Sequence, residues 1–281
     1  MPENPELGQF ANTCGYRTNY HDVGEGPVVL LLHGSGAGVS AWANWRNLIP
    51  RLAPRYRVIA PDLAGFGYTE VPGKFEFEFM NTWLDQVTAL LDGLAIDKVH
   101  IVGNSFGGAL ALWLAYRLPA RCERLVLMGP GGWPTAVNGA LAELWSYKPS
   151  IENMKRLMDI MAYDRRLVTD ELAELRYRAT IREGAQETFE KIFPPPHQRW
   201  LDAQALSIES LQAILNEVLI IHGRDDRVVD PASSWHLHQH LLNSQLHYFG
   251  CCGHWTQIEH ARRFQLLVEQ FLDEDFMNNE G

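Results

Sequence analysis

The chain has 281 residues, 46% of them hydrophobic, which suits one large folded unit with a buried core. A formal net charge of −10 argues against a nucleic acid or an anionic membrane as a partner, and no apolar run reaches the roughly 20 residues of a transmembrane helix. The acidic N-terminus is unlike a signal peptide and the four cysteines lack metal-site spacing, so we expect a cytoplasmic protein with free thiols.

Strands and helices alternate over the first half of the chain. The apolar and helical patterns predict strands at 28–32, 56–62, 99–102 and 124–128, and helices at 42–52, 81–94 and 109–118. The first of these runs is apolar throughout, as in a central strand that is buried on both faces. This alternation predicts an α/β fold with a mostly parallel sheet flanked by helices.

The alternation stops at a Gly- and Pro-rich stretch, 129–134. Residues 135–211 have helical patterns rich in Met, Leu, Glu and Arg and no pattern of a buried strand, and we interpret them as a helical insertion. The core would then consist of 1–134 and 212–281. In its second part, the patterns predict strands at 218–223 and 246–249 and a closing helix at 261–271.

One stretch combines a strand, a tight turn and a helix around a serine. After the strand at 99–102 comes Gly103-Asn-Ser-Phe-Gly107, with the spacing Gly-x-Ser-x-Gly. A residue at the apex of such a turn has a strained backbone, so the residues two positions before and after it must be small. Ser105 would lie at a helix N-terminus, where free N–H groups favour negative charge. The pattern predicts a nucleophile at Ser105.

A serine nucleophile needs a base, and the base needs a group that orients it. Two later turns supply both in the order serine, acid, histidine. The first turn contains two adjacent aspartates; we assign the acid to Asp226 and interpret Asp225 as a turn residue paired with an arginine. The second contains His254, between a glycine and a tryptophan. Both turns follow strands at the carboxyl edge of the sheet, where open α/β sheets place their sites.

Other candidate residues have structural interpretations. His33 opens a glycine-rich loop that can bring backbone N–H groups close to a ligand, and we expect its side chain to be structural. His236 and His240 could face one metal at i, i+4, but no third ligand accompanies them at zinc-site spacing. We therefore expect no metal or other cofactor. A catalytic cysteine at Cys251 or Cys252 is the weaker alternative to Ser105.

These motifs resemble the α/β-hydrolase fold and, within it, the meta-cleavage-product hydrolases of aromatic-ring degradation. The similarity covers nearly the whole chain and is most specific at 33–45, 103–108, 222–228 and 252–258. The semialdehyde-hydrolysing members, the 2-hydroxymuconate-semialdehyde hydrolases, are the most similar. The chain departs at Ala37, where the family usually has proline, a change that loosens the loop but keeps its N–H groups.

The resemblance implies a role for each residue that matches a family position. The triad is the one assigned above, and the backbone N–H groups of Ser35 and Phe106 would form an oxyanion hole. Asn44, Asn104 and Trp255 would line the dienoate end of the substrate.

Arg176 lies in the helical insertion and matches an arginine that the family points at the 2-hydroxy-acid end of the substrate. An exposed helix arginine is the alternative. The binding role is favoured because an acidic protein that binds an anion needs a local cation, and arginine pairs with carboxylate in bidentate geometry. We expect the insertion to form a lid that covers Ser105 and excludes water.

The resemblance implies hydrolysis of the C5–C6 carbon–carbon bond of a 2-hydroxy-6-oxo-hexa-2,4-dienoate, giving 2-hydroxypenta-2,4-dienoate and a small carboxylic acid. The dienol would first become a ketone tautomer, with His254 moving the proton, before serine or water attacks C6. An esterase or lactonase with the same triad is the alternative. Ser105 argues against dehalogenases and epoxide hydrolases, which need a carboxylate at that turn, and the intact triad argues against a ligand-binding receptor.

The expected partner is a small dienoate, and family analogy adds a homodimer or larger homo-oligomer. Bulky side chains early in the insertion would fill the space beyond C6, which favours hydrogen, methyl or ethyl there over phenyl. These side chains are Trp133, Leu141, Leu144, Trp145, Met154, Leu157, Met158 and Met161.

Overall fold

The computed structural model describes residues 4–73 and 77–273. Within them, eight strands form one sheet. The strands are Gln9–Thr13 (β1), Tyr16–Val23 (β2), Val28–Leu32 (β3), Arg57–Pro61 (β4), Val99–Asn104 (β5), Cys122–Met128 (β6), Val218–Gly223 (β7) and Ser244–Phe249 (β8). Their order is β1-β2-β4-β3-β5-β6-β7-β8. The strand β2 pairs antiparallel with both β1 and β4, and all the other neighbouring pairs are parallel.

The helices lie between and after these strands, beginning with α1 after β3. They are Ala41–Trp45 (α1), Ile49–Leu52 (α2), Asn81–Gly93 (α3), Phe106–Arg117 (α4), Gly139–Trp145 (α5), Ile151–Met161 (α6), Asp170–Thr180 (α7), Ala185–Ile192 (α8), Gln198–Gln204 (α9), Ile208–Gln212 (α10), Pro231–His240 (α11), Thr256–Glu259 (α12) and Ala261–Asp273 (α13). Among the described residues, no helix has the length and apolar character needed to span a membrane.

The sheet is buried on both faces. In β3, Val29 and Leu31 pack into one core cluster, with side chains of α1, α2 and α13. Leu30 and Leu32 point the other way, into a second cluster with α3, α4 and α11. Successive side chains of a strand face opposite sides, so a strand covered by helices on both sides must be apolar at every position. This explains the uninterrupted apolar run, and the predicted α/β fold class is confirmed.

Six helices, α5 to α10, lie between β6 and β7, and this segment, described in full, contains no strand. In α6, Met154, Leu157, Met158 and Met161 are buried, which gives the helix one apolar face. The helices of this segment pack into the same core cluster as α3 and α4. The segment therefore covers the side of the sheet onto which β5 delivers Ser105.

Two local features differ from the sequence-based expectation. The pattern at 42–52 predicted one helical stretch, but α1 and α2 are separate, with Pro50 in the first turn of α2, where a missing N–H costs little. The edge strand β1 was not predicted, because its sequence, QFANT, is polar and short. An edge strand needs fewer apolar residues, since one of its sides faces solvent.

Candidate active site

Ser105 lies at the apex of the turn between β5 and α4. Its φ is +54°, in the left-handed region that non-glycine residues rarely adopt. A Cβ on Gly103 would lie 2.4 Å from the carbonyl oxygen of Gly107, and a Cβ on Gly107 would lie 2.2 Å from the carbonyl oxygen of Leu32. Both glycines are therefore required by contact between backbones. The turn places Ser105 at the N-terminus of the 12-residue helix α4.

Asp226 and His254 are brought together from the turns after β7 and β8. The His254 Nδ1 atom lies 2.6 Å from Asp226 Oδ2, and both residues are buried. The other carboxylate oxygen, Oδ1, accepts hydrogen bonds from the backbone N–H groups of Val228 and Val229, at 2.7 and 3.1 Å. The carboxylate is thus fixed at both ends and holds the His254 ring in one orientation, with Nε2 left for another partner.

Sequence reasoning missed a second histidine on the same carboxylate. His222, at the end of β7, is fully buried, and its Nε2 lies 3.0 Å from Asp226 Oδ2 and 3.2 Å from the carbonyl oxygen of Val229. Two acceptors face Nε2, so Nε2 carries the proton, and Nδ1 accepts from the Ser234 hydroxyl at 2.7 Å. The signal in the sequence was the spacing His-Gly-x-x-Asp, which puts both side chains at one strand end.

The two imidazoles decide the charge state of the acid. Burial by itself would raise the pKa of Asp226, but the charge of His254 and the hydrogen bonds from His222 and His254 outweigh burial and hold that pKa well below its usual range. Asp226 is therefore ionised at neutral pH. Asp225 lies beside it in the turn and pairs with Arg224 at 3.5 Å, as expected for a turn aspartate.

The loop after β3 passes close to the serine. A Cβ on Gly34 would lie 3.3 Å from Ser105 Cβ, so the loop backbone touches the nucleophile turn. His33 anchors the start of the loop: its ring contacts the Gly34 carbonyl oxygen at 2.7 Å and accepts from the Leu63 N–H at 2.9 Å. Burial lowers the pKa of His33 to about 4, so this ring is neutral and structural.

Phe106 is the first residue of α4, where backbone N–H groups have no acceptor within the helix.

Most of the sequence-predicted site residues line one cavity, which we call the polar lobe. Seven of the nine border it: Ser35, Asn44, Asn104, Ser105, Arg176, His254 and Trp255. Phe106 borders a neighbouring cavity, and Asp226 is hydrogen-bonded to His254. The structure therefore gathers residues from five separate segments of the chain around Ser105.

The polar lobe contains side-chain atoms without a partner. Asn44 Nδ2 is buried and makes no hydrogen bond within the described part of the chain, and the same holds for Gln257 Oε1. Leaving such an atom unpaired inside a protein costs about 1–3 kcal/mol. Gln257, which sequence reasoning did not select, also borders the lobe. A donor and an acceptor are thus available to a polar ligand.

Arg176 reaches the polar lobe from α7 in the insertion. Its guanidinium lies 5.1 Å from the centre of the Trp255 ring, and no carboxylate among residues 4–73 and 77–273 forms an ion pair with it. Burial, with the nearby charge of Arg46, lowers the pKa of Arg176 to about 10, so it is charged at neutral pH. A partly buried cation with no acidic partner in the described ranges is costly, and a bound anion would remove that cost.

The second cavity, which we call the apolar lobe, meets the polar lobe at Ser105. The two share Ser35, Ser105, Leu141 and Val228. The apolar lobe is bordered by large apolar side chains: Phe106, Trp133, Leu141, Trp145 and Leu201.

Trp145 is held in place on both sides. Its ring stacks on Phe193, with centroids 4.5 Å apart, and its Nε1 donates to Ser35 Oγ at 3.2 Å. Of the insertion residues expected around C6, Met154, Leu157 and Met158 border neither lobe, and Leu144 and Met161 border the polar lobe instead. Met154, Leu157 and Met158 belong to the buried core.

The insertion is joined to the histidine loop by backbone contacts. The His254 N–H donates to the Met161 carbonyl oxygen at 2.7 Å. Glu259 accepts from Gly253 N–H through one oxygen and from Tyr163 and Asp164 N–H through the other, each at 2.8 Å. The position of His254 is therefore coupled to the end of α6.

The remaining candidates of the sequence analysis have other surroundings. His236 and His240 both stack on Trp133, with centroids 4.9 and 5.3 Å away, and no cluster of metal-binding side chains occurs in the described ranges. Burial raises the pKa of the Cys252 thiol to about 12, so it is neutral and a poor nucleophile. A cavity of about 380 Å³ lies between the loop at 65–71 and α8, and none of the predicted site residues borders it.

Comparison with known proteins shows similarity over most of the chain. The profile of the alpha/beta hydrolase fold family matches residues 27–261. The chain is 51% identical to a 2-hydroxy-6-oxo-2,4-heptadienoate hydrolase of Pseudomonas putida, over 96% of this chain and 97% of that one. It is 50% identical to a 2-hydroxymuconate semialdehyde hydrolase of a Pseudomonas species, over 97% and 96% of the two chains.

Among solved structures, the chain is similar to a meta-cleavage product hydrolase of Pseudomonas fluorescens that was crystallised with acetates. The TM-score is 0.94 and the sequence identity 53%, and the match covers 96% of this chain and 98% of the other. The similarity thus includes the insertion as well as the sheet.

Proposed function

Because the chain belongs to the α/β-hydrolase fold family and, within it, to the meta-cleavage-product hydrolases, we propose that it hydrolyses a 2-hydroxy-6-oxo-hexa-2,4-dienoate at C5–C6. The products are 2-hydroxypenta-2,4-dienoate and a small carboxylic acid, and one water is consumed. The observation that carries this proposal is that Arg176 forms no ion pair within the described part of the chain and borders the same cavity as Ser105 and His254. A carboxylate is the ligand that such a cation lacks.

We assign the proton transfers to His254 and its acid. His254 Nδ1–H is held by the ionised Asp226, so Nε2 is free to take and return a proton. It first moves the proton that converts the dienol into its ketone tautomer, from the 2-hydroxyl to C5. It then takes a proton from Ser105 or from water as oxygen attacks C6. Breakage of C5–C6 leaves the electron pair on the dienoate fragment and the new oxygen on the acid.

The charge that develops on the C6 oxygen needs donors close to Ser105. We assign this role to the backbone N–H groups of Ser35 and Phe106, one from the loop after β3 and one from the first residue of α4. The helix dipole of α4 favours negative charge at the same point. Each donor of this kind contributes about 3–4 kcal/mol to the stability of the transition state.

The two lobes orient the substrate about Ser105. The carboxylate binds Arg176, and Asn44, Asn104 and Trp255 line the dienoate in the polar lobe. The C6 substituent occupies the apolar lobe beyond Ser105. Residues 135–211 act as a lid, since they supply Arg176 to one lobe and Trp145 to the other.

An esterase or lactonase would use the same three residues, and it would have no use for an unpaired arginine beside the serine. The test is the bleaching of the yellow dienolate by the purified protein, with formation of 2-hydroxypenta-2,4-dienoate measured by chromatography. Ser105→Ala should reduce turnover at least about a thousandfold without loss of fold. Hydrolysis of simple esters, with no bleaching of any dienolate, would contradict the proposal and favour the esterase.

Cellular location and assembly belong to the same proposal. We infer that the enzyme works in the cytoplasm, which is supported by four cysteines that are all free thiols. The homodimer or larger homo-oligomer stays a prediction from family analogy. Light scattering on the purified protein gives its mass directly, and a mass of one chain would contradict an oligomer.

A further inference from the structure

A third cavity lies against the polar lobe and is used by neither half of the proposed substrate site. We call it the vestibule; its volume is about 120 Å³. It is bordered by Arg46 from the end of α1 and by Leu172, Leu175 and Arg176 from α7. It shares Ala43, Arg176, Trp255 and Ile258 with the polar lobe, so Arg176 and Trp255 separate the two spaces.

The three cavities form a series. The vestibule has no bordering residue in common with the apolar lobe, whereas the polar lobe has residues in common with both. A molecule that passes from the vestibule therefore meets Arg176 and Trp255, then Ser105, then the apolar lobe. The outer end of the series reaches solvent, because Leu175 is 51% exposed.

Charge distinguishes the two ends of this series. Arg46 and Arg176 both border the vestibule, and neither forms an ion pair within the described residues; Glu6 borders it too but pairs with neither arginine. The two cations repel each other, which adds to burial in lowering the pKa of Arg176. At the far end, the exposed Asp230 borders the apolar lobe. An anion is attracted at the vestibule and repelled at the other end.

We propose that the vestibule is the entrance through which the dienoate reaches Ser105, and that Arg46 binds its carboxylate transiently on the way. The inference rests on the proposed function, since it needs an anionic substrate. The order of the cavities fixes the direction of travel: the C6 end passes Arg176 first and the carboxylate follows. The carboxylate moves from Arg46 to Arg176 as C6 arrives at Ser105. In a chain with net charge −10, a local pair of cations is what makes such capture fast.

The test of this entrance is the rate constant for association of the dienolate with the inactive Ser105→Ala enzyme. It is measured by stopped-flow absorbance at several salt concentrations. Adding Arg46→Gln should lower the association rate constant about threefold to tenfold at low salt, and the difference should vanish at high salt. Arg117→Gln is the matched control: it removes the same charge from an exposed residue at the other end of α4, roughly 16 Å from the serine. Equal rates for the two variants would overturn the role of Arg46.

A second variant tests the route without changing charge. Leu175→Trp narrows the vestibule and should slow association of both the dienolate and its methyl ester, which lacks the carboxylate charge, whereas Arg46→Gln should slow mainly the form with the free carboxylate. Ala136→Trp places the same bulk at the mouth of the apolar lobe. Slower association in Ala136→Trp, with no effect of Leu175→Trp, would move the entrance to that end. If the unmodified enzyme bleaches no dienolate, the proposed function fails; if it bleaches and Leu175→Trp is neutral, only the entrance fails.

Discussion

His222 and His254 share one oxygen of a single carboxylate. Their rings lie 3.0 and 2.6 Å from Asp226 Oδ2, and both are buried. An oxygen that accepts from two imidazoles divides its charge between them. His222 is in turn held by Ser234, so the orientation of the acid depends on a hydrogen-bond chain that never touches the substrate.

His222→Phe keeps the size of the ring and removes its hydrogen bond to the acid. We expect kcat/KM to fall about tenfold, the scale of one buried hydrogen bond. The loss should fall on kcat rather than on KM, because His222 borders neither lobe. His222→Asn, which can still donate, should restore part of the activity. An asparagine variant as slow as His222→Phe would reduce His222 to a packing role.

The adjacent aspartates provide an internal comparison for the acid. Asp226→Asn should lower kcat by about 10⁴-fold, because the amide presents its NH₂ group or a weaker acceptor to His254. Asp225→Asn alters the contact with Arg224 at 3.5 Å and the hydrogen bond from the Cys252 N–H at 3.4 Å, which an amide oxygen can still accept, and should change kcat less than about threefold. Both are measured under saturating dienoate with folding checked by circular dichroism. The reverse order would place the acid one residue earlier in the turn.

Short turn signatures predicted the centre of the site. The strand, glycine spacing and helix around Ser105 depend on contacts within a few residues, and so do the turns that carry Asp226 and His254. Residues whose role depends on distant packing were not predicted from physical patterns. His222 was missed for a different reason: its partner Asp226 is only four residues away, but a histidine in an apolar strand has the pattern of a core residue.

The insertion shows where sequence patterns stop being informative. The Met-rich face of α6 predicted a border of the substrate pocket, but an apolar stripe on a helix has the same pattern whether it meets a ligand or the core. Met154, Leu157 and Met158 meet the core. The direction of Arg176 was open for the same reason, since α7 is polar on most sides and only the packed lid turns this arginine toward Trp255.

Arg176 can be tested against a neighbour on the same helix. Arg176→Ala should lower kcat/KM for the dienoate by about 2–3 kcal/mol, the scale of a charge-assisted hydrogen bond. Arg178→Ala removes an exposed arginine that pairs with Glu174 and should have little effect. A neutral ester should be hydrolysed equally well by Arg176→Ala and the unmodified enzyme. An unchanged kcat/KM for the dienoate would place Arg176 outside the site.

His33 makes stability depend on pH. Its pKa is about 4 in the folded protein and 6.5 as the ordinary value, so between these pH values the unfolded chain binds the proton more readily. The contribution of His33 is complete above pH 6.5 and is lost as the pH falls toward 4, by about 3 kcal/mol in total. The physical reason is burial, which disfavours the charged ring, and a proton on Nε2 would also face the Leu63 N–H.

The difference between the unmodified protein and His33→Asn isolates this effect. Asp62 acts in the opposite direction, because burial raises its pKa to about 6 and its protonated form favours the folded state as the pH falls. Urea unfolding of both proteins at pH 7 and pH 4.5 should show His33→Asn less stable at pH 7 and the gap much smaller at pH 4.5. A gap that stays constant would mean that His33 remains able to take up a proton in the folded state.

The size of the C6 substituent is set by the apolar lobe. Trp145 cannot move aside without losing its stacking on Phe193 and its hydrogen bond to Ser35, and Trp133 and Leu201 border the same space. We therefore expect hydrogen, methyl or ethyl at C6 to be favoured over phenyl by several kcal/mol, because an extra ring forces packed side chains out of their rotamers. The check is kcat/KM on the semialdehyde, the methyl ketone and the phenyl ketone under one set of conditions.

A variant of the lobe makes this prediction specific. Leu201→Ala should enlarge the lobe and raise kcat/KM for the phenyl ketone relative to the methyl ketone by about tenfold. The reason is that most of the volume of one buried leucine side chain becomes available to the ring. Leu157→Ala is the matched control: this leucine is equally buried but belongs to the core and borders neither lobe, so the ratio should not change. Equal efficiency on all three substrates in the unmodified enzyme would show that the lobe already accepts a ring, and it would contradict the predicted preference.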